Sequence, residues 1–423
     1  MNDGFSAFKA IAVGVGLLLT VTAVAPDVTS GNFDTMRLAK GKGRKGSTST
    51  DPGTSTGTTT GGTTSTGGTT STGGTTSTGG TTTNGLYSED SIIASNFDIN
   101  SELIPSSIPG TMAPDFVGAF RFVCMPGQLL RDDPIVFPGQ PGKSHLHQFY
   151  GNTGADANST YSSLRNSGQS TCMSPLNRSA YWQPAMLDGT GNAVRPDYVN
   201  IYYKRRPISD PKCNPATSAQ AEGICVALPN GLKFVFGFDM LTDRAPSGAM
   251  HWVCLKGNTP QGTFSSIPAA AASCPPIDGT TNVQIGVLIS APACWDGKNL
   301  DSPNHRDHVS YASYGTWGYK KCPSTHPYVI PTFTMGSYYT VTAGDNLNLW
   351  KLSSDDMHPN LPHGSTFHAD FWMAWDATVK KMWHDGCINQ LLSCNAGNLG
   401  NGKAIRQSAG FSWKANPRLV AAP

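Results

Sequence analysis

Two short segments put histidines and an aspartate at alternate positions, Ser144-His-Leu-His-Gln-Phe-Tyr150 and His368-Ala-Asp370. Side chains in an extended chain alternate between faces, so His145 shares a face with His147, and His368 shares one with Asp370. Two imidazoles so placed can share a metal ion, or one can carry protons while the other orients a substrate. A carboxylate beside an imidazole fixes its tautomer and raises its basicity. The bland reading of either pair is a polar link packed on a half-buried sheet face.

A third stretch, Cys294 to His308, carries Asp296, Lys298, Asp301, His305, Arg306, Asp307 and His308, broken by Gly297 and Pro303 so that neither helix nor strand runs through it. A loop this polar either holds functional groups on a fixed scaffold or is simply solvated surface. The functional reading takes His145, His147, Asp296, His308, His368 and Asp370 as candidate catalytic groups. Lys298, Asp301, His305, Arg306 and Tyr150 are then the substrate contacts. A cofactor, if there is one, is a divalent metal on His145, His147 and His368. The expectation is that His145, His147, His308, His368 and at least one of Asp296 and Asp370 line one pocket. Beyond the N-terminal tract the glutamates are Glu102 and Glu222 alone, which argues against a glutamate-pair glycosidase. Beyond that tract there is likewise no nucleophile elbow, phosphate-binding glycine loop or dinucleotide fingerprint.

The elements that must position these groups read as strands. Short apolar and aromatic runs, among them Phe116 to Val123, Tyr198 to Tyr203, Lys233 to Phe238, Val283 to Ile289 and Phe367 to Met373, are separated by Gly, Pro, Asn and Asp clusters. One helix is expected, from Asp376 to Asn389, ending near Gly386. The fold expected is mainly β, a β-sandwich or jelly-roll-like single domain with long disulfide-tied loops over residues 87 to 423. The chain holds 10 cysteines, all between Cys124 and Cys394. An even count confined to the folded part of an exported chain argues for disulfides. Short separations suggest Cys213–Cys225, Cys254–Cys274, Cys294–Cys322 and Cys387–Cys394, leaving Cys124–Cys172. A zinc reading of the cysteines is weaker, because no Cys-x-x-Cys spacing occurs.

Residues 1 to 25 read as a signal peptide: an apolar core from Ala10 to Val24 behind Lys9, with Val21-Thr-Ala23 as the favoured cleavage site. Residues 26 to 86 read as a disordered linker, first basic and then built of Gly, Thr and Ser, in which Gly-Gly-Thr-Thr-Ser-Thr recurs from Gly61. Such a tract buries nothing that could offset its ordering entropy. The net charge of +2 in 423 residues leaves no basic patch that calls for nucleic acid. The protein is expected to be extracellular, monomeric, and without a transmembrane segment once the signal is removed.

The motif series Asp132-Asp-Pro-Ile-Val-Phe-Pro-Gly139, Ser144-His-Leu-His147 with Phe149-Tyr-Gly-Asn152, Ser179-Ala-Tyr-Trp-Gln-Pro-Ala185, Cys294-Trp-Asp-Gly-Lys-Asn-Leu-Asp301, Cys322-Pro-Ser-Thr-His-Pro327 and His368-Ala-Asp-Phe371 resembles that of a secreted fungal and bacterial family, domain of unknown function nineteen ninety-six. The resemblance runs in order over about residues 113 to 394. It implies an extracellular setting and, by association, a link to polysaccharides; it carries no activity with it. The function expected is a polysaccharide-acting hydrolase or lyase with a His/Asp site. The alternative is a noncatalytic protein that binds glycans or sits at the cell surface, its loop supplying hydrogen bonds and its aromatics stacking on sugar rings.

Overall fold

The computed structural model describes residues 92 to 423, apart from 114, 246–247, 258, 278 and 315–317, together with a short antiparallel pair, Thr82–Thr83 with Leu86–Tyr87. The signal peptide expected at 1 to 25, and all of the expected linker except this pair, lie outside the described residues.

In chain order, the strands that build and back the site are β1 (Gly118–Cys124), β2 (Leu129–Leu130), β3 (His147–Gly151), β4 (Ala180–Pro184), β5 (Tyr198–Arg205) and β6 (Lys233–Gly237). They continue with β7 (Met250–Lys256), β8 (Thr259–Phe264), β9 (Val283–Ser290), β10 (Thr332–Val341), β11 (His368–Trp372) and β12 (Ser393–Cys394). A seven-stranded sheet runs in the order β8-β7-β9-β10-β5-β1-β12, and a five-stranded sheet in the order β6-β11-β4-β3-β2. The five-stranded sheet is antiparallel throughout.

Alternation along these strands explains why the two sheets pack together. Phe120, Phe122, Ile201, Tyr203, Val287, Ile289, Phe333 and Met335 of the larger sheet share one buried cluster with Tyr181, Phe234, Phe236 and Phe371 of the smaller. The Phe333 ring stacks on Phe371 at 4.6 Å and on Tyr181 at 5.6 Å, so the interface is an aromatic sandwich. Fully burying one such side chain stabilises by about 1.5–3 kcal/mol. The fold is therefore mainly β and sandwich-like, as the sequence leads one to expect.

The other face of the five-stranded sheet carries a smaller cluster, in which Phe149, Trp182, Val235 and Trp372 pack under Ile135, Ala155 and Leu164. Both faces of this sheet are thus covered. The expected helix is present as Ala377–Trp383, capped by the Asp376 side chain, and is followed by one π-helical turn, His384–Ile388. No described helix is long and apolar enough to cross a membrane.

Five disulfides join Cys124–Cys172, Cys213–Cys225, Cys254–Cys274, Cys294–Cys322 and Cys387–Cys394, the pairs that short separations suggest. The fourth closes the base of the polar loop, where Cys294–Trp295 pairs antiparallel with both Val309–Ser310 and Tyr328–Val329. Replacing Cys294 and Cys322 together by serine should lower stability by roughly 2–4 kcal/mol in denaturant unfolding. An unchanged midpoint would mean that the loop is held by its hydrogen bonds alone.

Candidate functional site

The site grows from one row of residues across the outer face of the five-stranded sheet. On β11, Ala369 and Phe371 turn into the aromatic core, which sends His368, Asp370 and Trp372 to the opposite face. On β3, Tyr150 belongs to the core and Phe149 to the outer cluster, so His147 is on the outer face with Phe149. Asp370 pairs with Trp182, and His147 with Pro184, on opposite edges of β4. Two residues before Asp370, His368 therefore comes level with Pro184 and faces His147 across a residue with a compact ring.

His145 completes the group. Its ring centroid lies 4.2 Å from that of His147 and 5.1 Å from that of His368, and the last two are 6.0 Å apart. His147 and Asp370 are fully buried, His368 and Asp133 nearly so, and His145 is half-buried, the least buried member of the group.

The hydrogen bonds decide which ring nitrogens are free. His147 Nδ1 lies 2.9 Å from the carbonyl of Asp132, and His368 Nδ1 lies 2.9 Å from the carbonyl of Thr366. A carbonyl only accepts, so each Nδ1 carries the proton and each Nε2 presents a lone pair. The Nε2 atoms of His145 and His147 are buried without a partner. Asp132 is itself fixed, its carboxylate accepting from the backbone of Gly142 at 2.8 Å and of Ala157 at 3.1 Å. That clamp holds in place the carbonyl that sets the tautomer of His147.

Two carboxylates face these imidazoles. Asp133 accepts at 2.9 Å from the backbone N–H of both Ile135 and Val136, whereas both oxygens of Asp370 are buried with no partner. Burial, and then the neighbouring Asp133, push the Asp370 carboxyl well above the usual range. Burial likewise raises that of Asp133. Burial and then the His368 charge push His147 down to about 3; burial holds His368 at about 4 and takes His145 well below its ordinary value. At neutral pH the three rings are neutral bases. Ligand atoms of His145, His147 and His368 all lie within 4.8 Å of one another, as do those of Asp133, His147 and Asp370. These are the described residues that could hold a metal.

The polar loop lies beside this cluster as an edge cap. The N–H of Lys233 donates to Leu300 O and that of Val235 to His305 O, each at 3.0 Å, and Arg306 donates to Phe238 O at 3.0 Å. Arg306 reaches the end of β6 where Gly237 pairs with His368, and its charge acts on both His368 and Asp370. Most other polar residues of the loop are spent on the loop itself. Asp296 accepts from the backbone of Lys298 and Asn299, at 2.9 and 3.0 Å. Asp301 pairs with Lys233 at 3.0 Å and with His305 at 2.8 Å.

His308 uses both ring nitrogens, on Ser302 Oγ and Lys233 O, each at 2.9 Å. Lys233 is four positions along β6 from Gly237, or roughly 13 Å at the strand rise, so His308 is not brought to the histidine cluster. Tyr150 is buried in the core, on the far side of the sheet from His147. Lys298 is exposed at the loop tip. Of the residues singled out in the sequence, the structure therefore gathers His145, His147, His368 and Asp370, with Arg306 at the rim.

Two members are additional. Asp133 stands in the Asp-Asp-Pro motif, and its signal was two acids directly before a proline turn and close in sequence to the histidine pair. His358 pairs through Nδ1 with Asp243 at 3.0 Å, leaves Nε2 buried without a partner, and acts on His368. No spacing in the sequence links it to the others.

The model of one family, described as Domain of unknown function (DUF1996), matches residues 133–375, a span that holds every member of the cluster. No curated protein and no solved structure matches the chain significantly.

Asp370 supplies a stability test with a defined sign. Its folded pKa is raised, so the stability linked to its neutral form is complete below the unfolded value of about 3.9 and is lost as pH rises through the folded value. In chelator-treated protein at pH 7, Asp370→Asn should raise stability, because the amide is no better partnered than the acid but has no charged form for burial to penalise, and the gain should shrink toward pH 4. Thermal or denaturant unfolding reads it. Destabilisation at pH 7 would show that the carboxylate is already compensated.

Proposed function

The chain belongs to this family, and from that premise we propose that it is an exported enzyme, a hydrolase or lyase acting on polysaccharide at the His145, His147, His368 and Asp370 site. The observation that carries the reading is Asp370: a buried carboxylate with both oxygens unpartnered, beside imidazoles with bare Nε2 atoms. Buried polar groups are ordinarily satisfied, and exceptions cluster where chemistry is done. The five disulfides support an oxidising compartment, and the apolar run behind Lys9 supports export.

The roles follow from protonation. Burial raises the Asp370 carboxyl, so it holds its proton to higher pH than a free aspartate and is suited to protonate a glycosidic oxygen as the bond to it breaks. His145 is neutral and the least buried of the three rings, so a small rotation would bring its unpartnered Nε2 to a substrate to take a proton. Taken from water, that proton gives hydrolysis; taken from a sugar carbon, it gives elimination. His147 and His368 are held by the carbonyls of Asp132 and Thr366 and orient the centre. Arg306 at the rim suits a substrate carrying oxygen-rich or acidic groups. The protein acts as a monomer in this reading, with polysaccharide or a cell-surface glycan as its partner.

The test is a panel of cell-wall and acidic polysaccharides scored for new reducing ends and for unsaturated products. Product is expected from at least one substrate, with His145→Ala and Asp370→Asn each lowering the rate by about 10²–10⁴. Binding on a glycan array with no product from any substrate would replace the enzyme with a noncatalytic glycan-binding protein.

A further inference from the structure

We propose that His145, His147 and His368 hold one zinc ion through their Nε2 atoms, with Asp370 beside it and a fourth position left for water or substrate. The inference rests on the site proposed above and changes one role in it, because a His145 Nε2 that holds zinc has no lone pair left to take a proton; binding is measured without turnover.

The donor set comes first. Each of His147 and His368 gives its Nδ1 proton to a backbone carbonyl, the outer-shell arrangement that turns Nε2 toward a metal and raises its basicity. The Nε2 atoms of His145 and His147 find no hydrogen-bond partner although both are buried. A core histidine serving only packing would satisfy that nitrogen, as His308 does on Lys233 O and His384 on the N–H of Leu228.

Spacing comes second. Mutual separations within 4.8 Å are close to those of ligands on one tetrahedral ion, about 3.3–3.5 Å for zinc–nitrogen bonds of about 2.0–2.1 Å. Modest rotations of the three rings would close the difference.

Charge comes third. His147 also lies within 4.8 Å of ligand atoms of Asp133 and Asp370. Two carboxylates buried together repel, and a buried charge persists only when paired or set against a metal. A cation on the three imidazoles would supply the missing partner for Asp370, which has none among the described residues. Three nitrogen donors favour a borderline transition ion over magnesium or calcium, which take oxygen ligands. Three protein ligands make the open pattern of catalytic zinc rather than the four-ligand, closed pattern of a structural site.

The experiment uses the full secreted chain, stripped with chelator and titrated with zinc alone. Calorimetry and elemental analysis after desalting should give close to one equivalent. His145→Ala is the informative variant because it is the least buried of the three rings and lies outside both core clusters; it should weaken zinc binding at least tenfold while the unfolding midpoint of the stripped protein stays unchanged. His147→Ala and His368→Ala should abolish binding, and His363→Ala, at an exposed histidine, should bind like the wild type. Sub-stoichiometric binding, or binding indifferent to His145→Ala, overturns the proposal. Tight zinc binding without product from any polysaccharide would sustain the metal site and refute the enzyme reading; turnover that survives complete stripping would do the reverse.

Discussion

A carboxylate with no hydrogen-bond donor, held in a protein interior next to neutral imidazoles, is the constraint on which this structure turns. Desolvating Asp370 costs several kcal/mol in its charged form, and the surrounding backbone is already committed to sheet pairing. An apolar residue at that position would pack at lower cost, as Phe371 does one step along the same strand. The cost is acceptable only if the group is used, whether to keep a proton or to face a cation.

The rest of the fold maintains that situation. The aromatic sandwich around Phe333 and Phe371 fixes β11 from below, so period-two alternation directs His368 and Asp370 away from the core. From above, the Asp132 clamp holds the segment that fixes His147. At the edge, the disulfide-closed loop covers the outer strand and brings Arg306 to the end where His368 lies. The scaffold is thus rigid on three sides and leaves His145 as the least buried member, an arrangement suited to a preorganised site.

Much of this was legible in the sequence, for one physical reason: strand alternation. The His-Ala-Asp spacing predicts a shared face, and β11 has it; His145 lies in a bend just before β3, so its meeting with His147 comes from that bend and not from alternation. The same rule applied one step further places Tyr150 opposite His147, which is why that tyrosine lies in the core instead of the site. The polar loop was harder to read. Its acids and bases look like a reactive cluster in one dimension, but Asp296 and Asp301 spend their oxygens on loop backbone and on local cations, and His308 is saturated on both nitrogens. Short-range hydrogen bonding of Asp within turns is the competing principle. Asp133 and His358 escaped notice because their roles depend on tertiary contacts that no local period encodes.

The account stands most directly on the lone pairs of His147 and His368. Long-range proton–nitrogen correlation spectra of the chelator-treated protein, with the two rings assigned through His147→Gln and His368→Gln, report the tautomer of each ring. At pH 7 both should be neutral with the proton on Nδ1, consistent with pKa values near 3 and 4. A proton on Nε2, or an imidazolium at either position, would contradict the arrangement of the site.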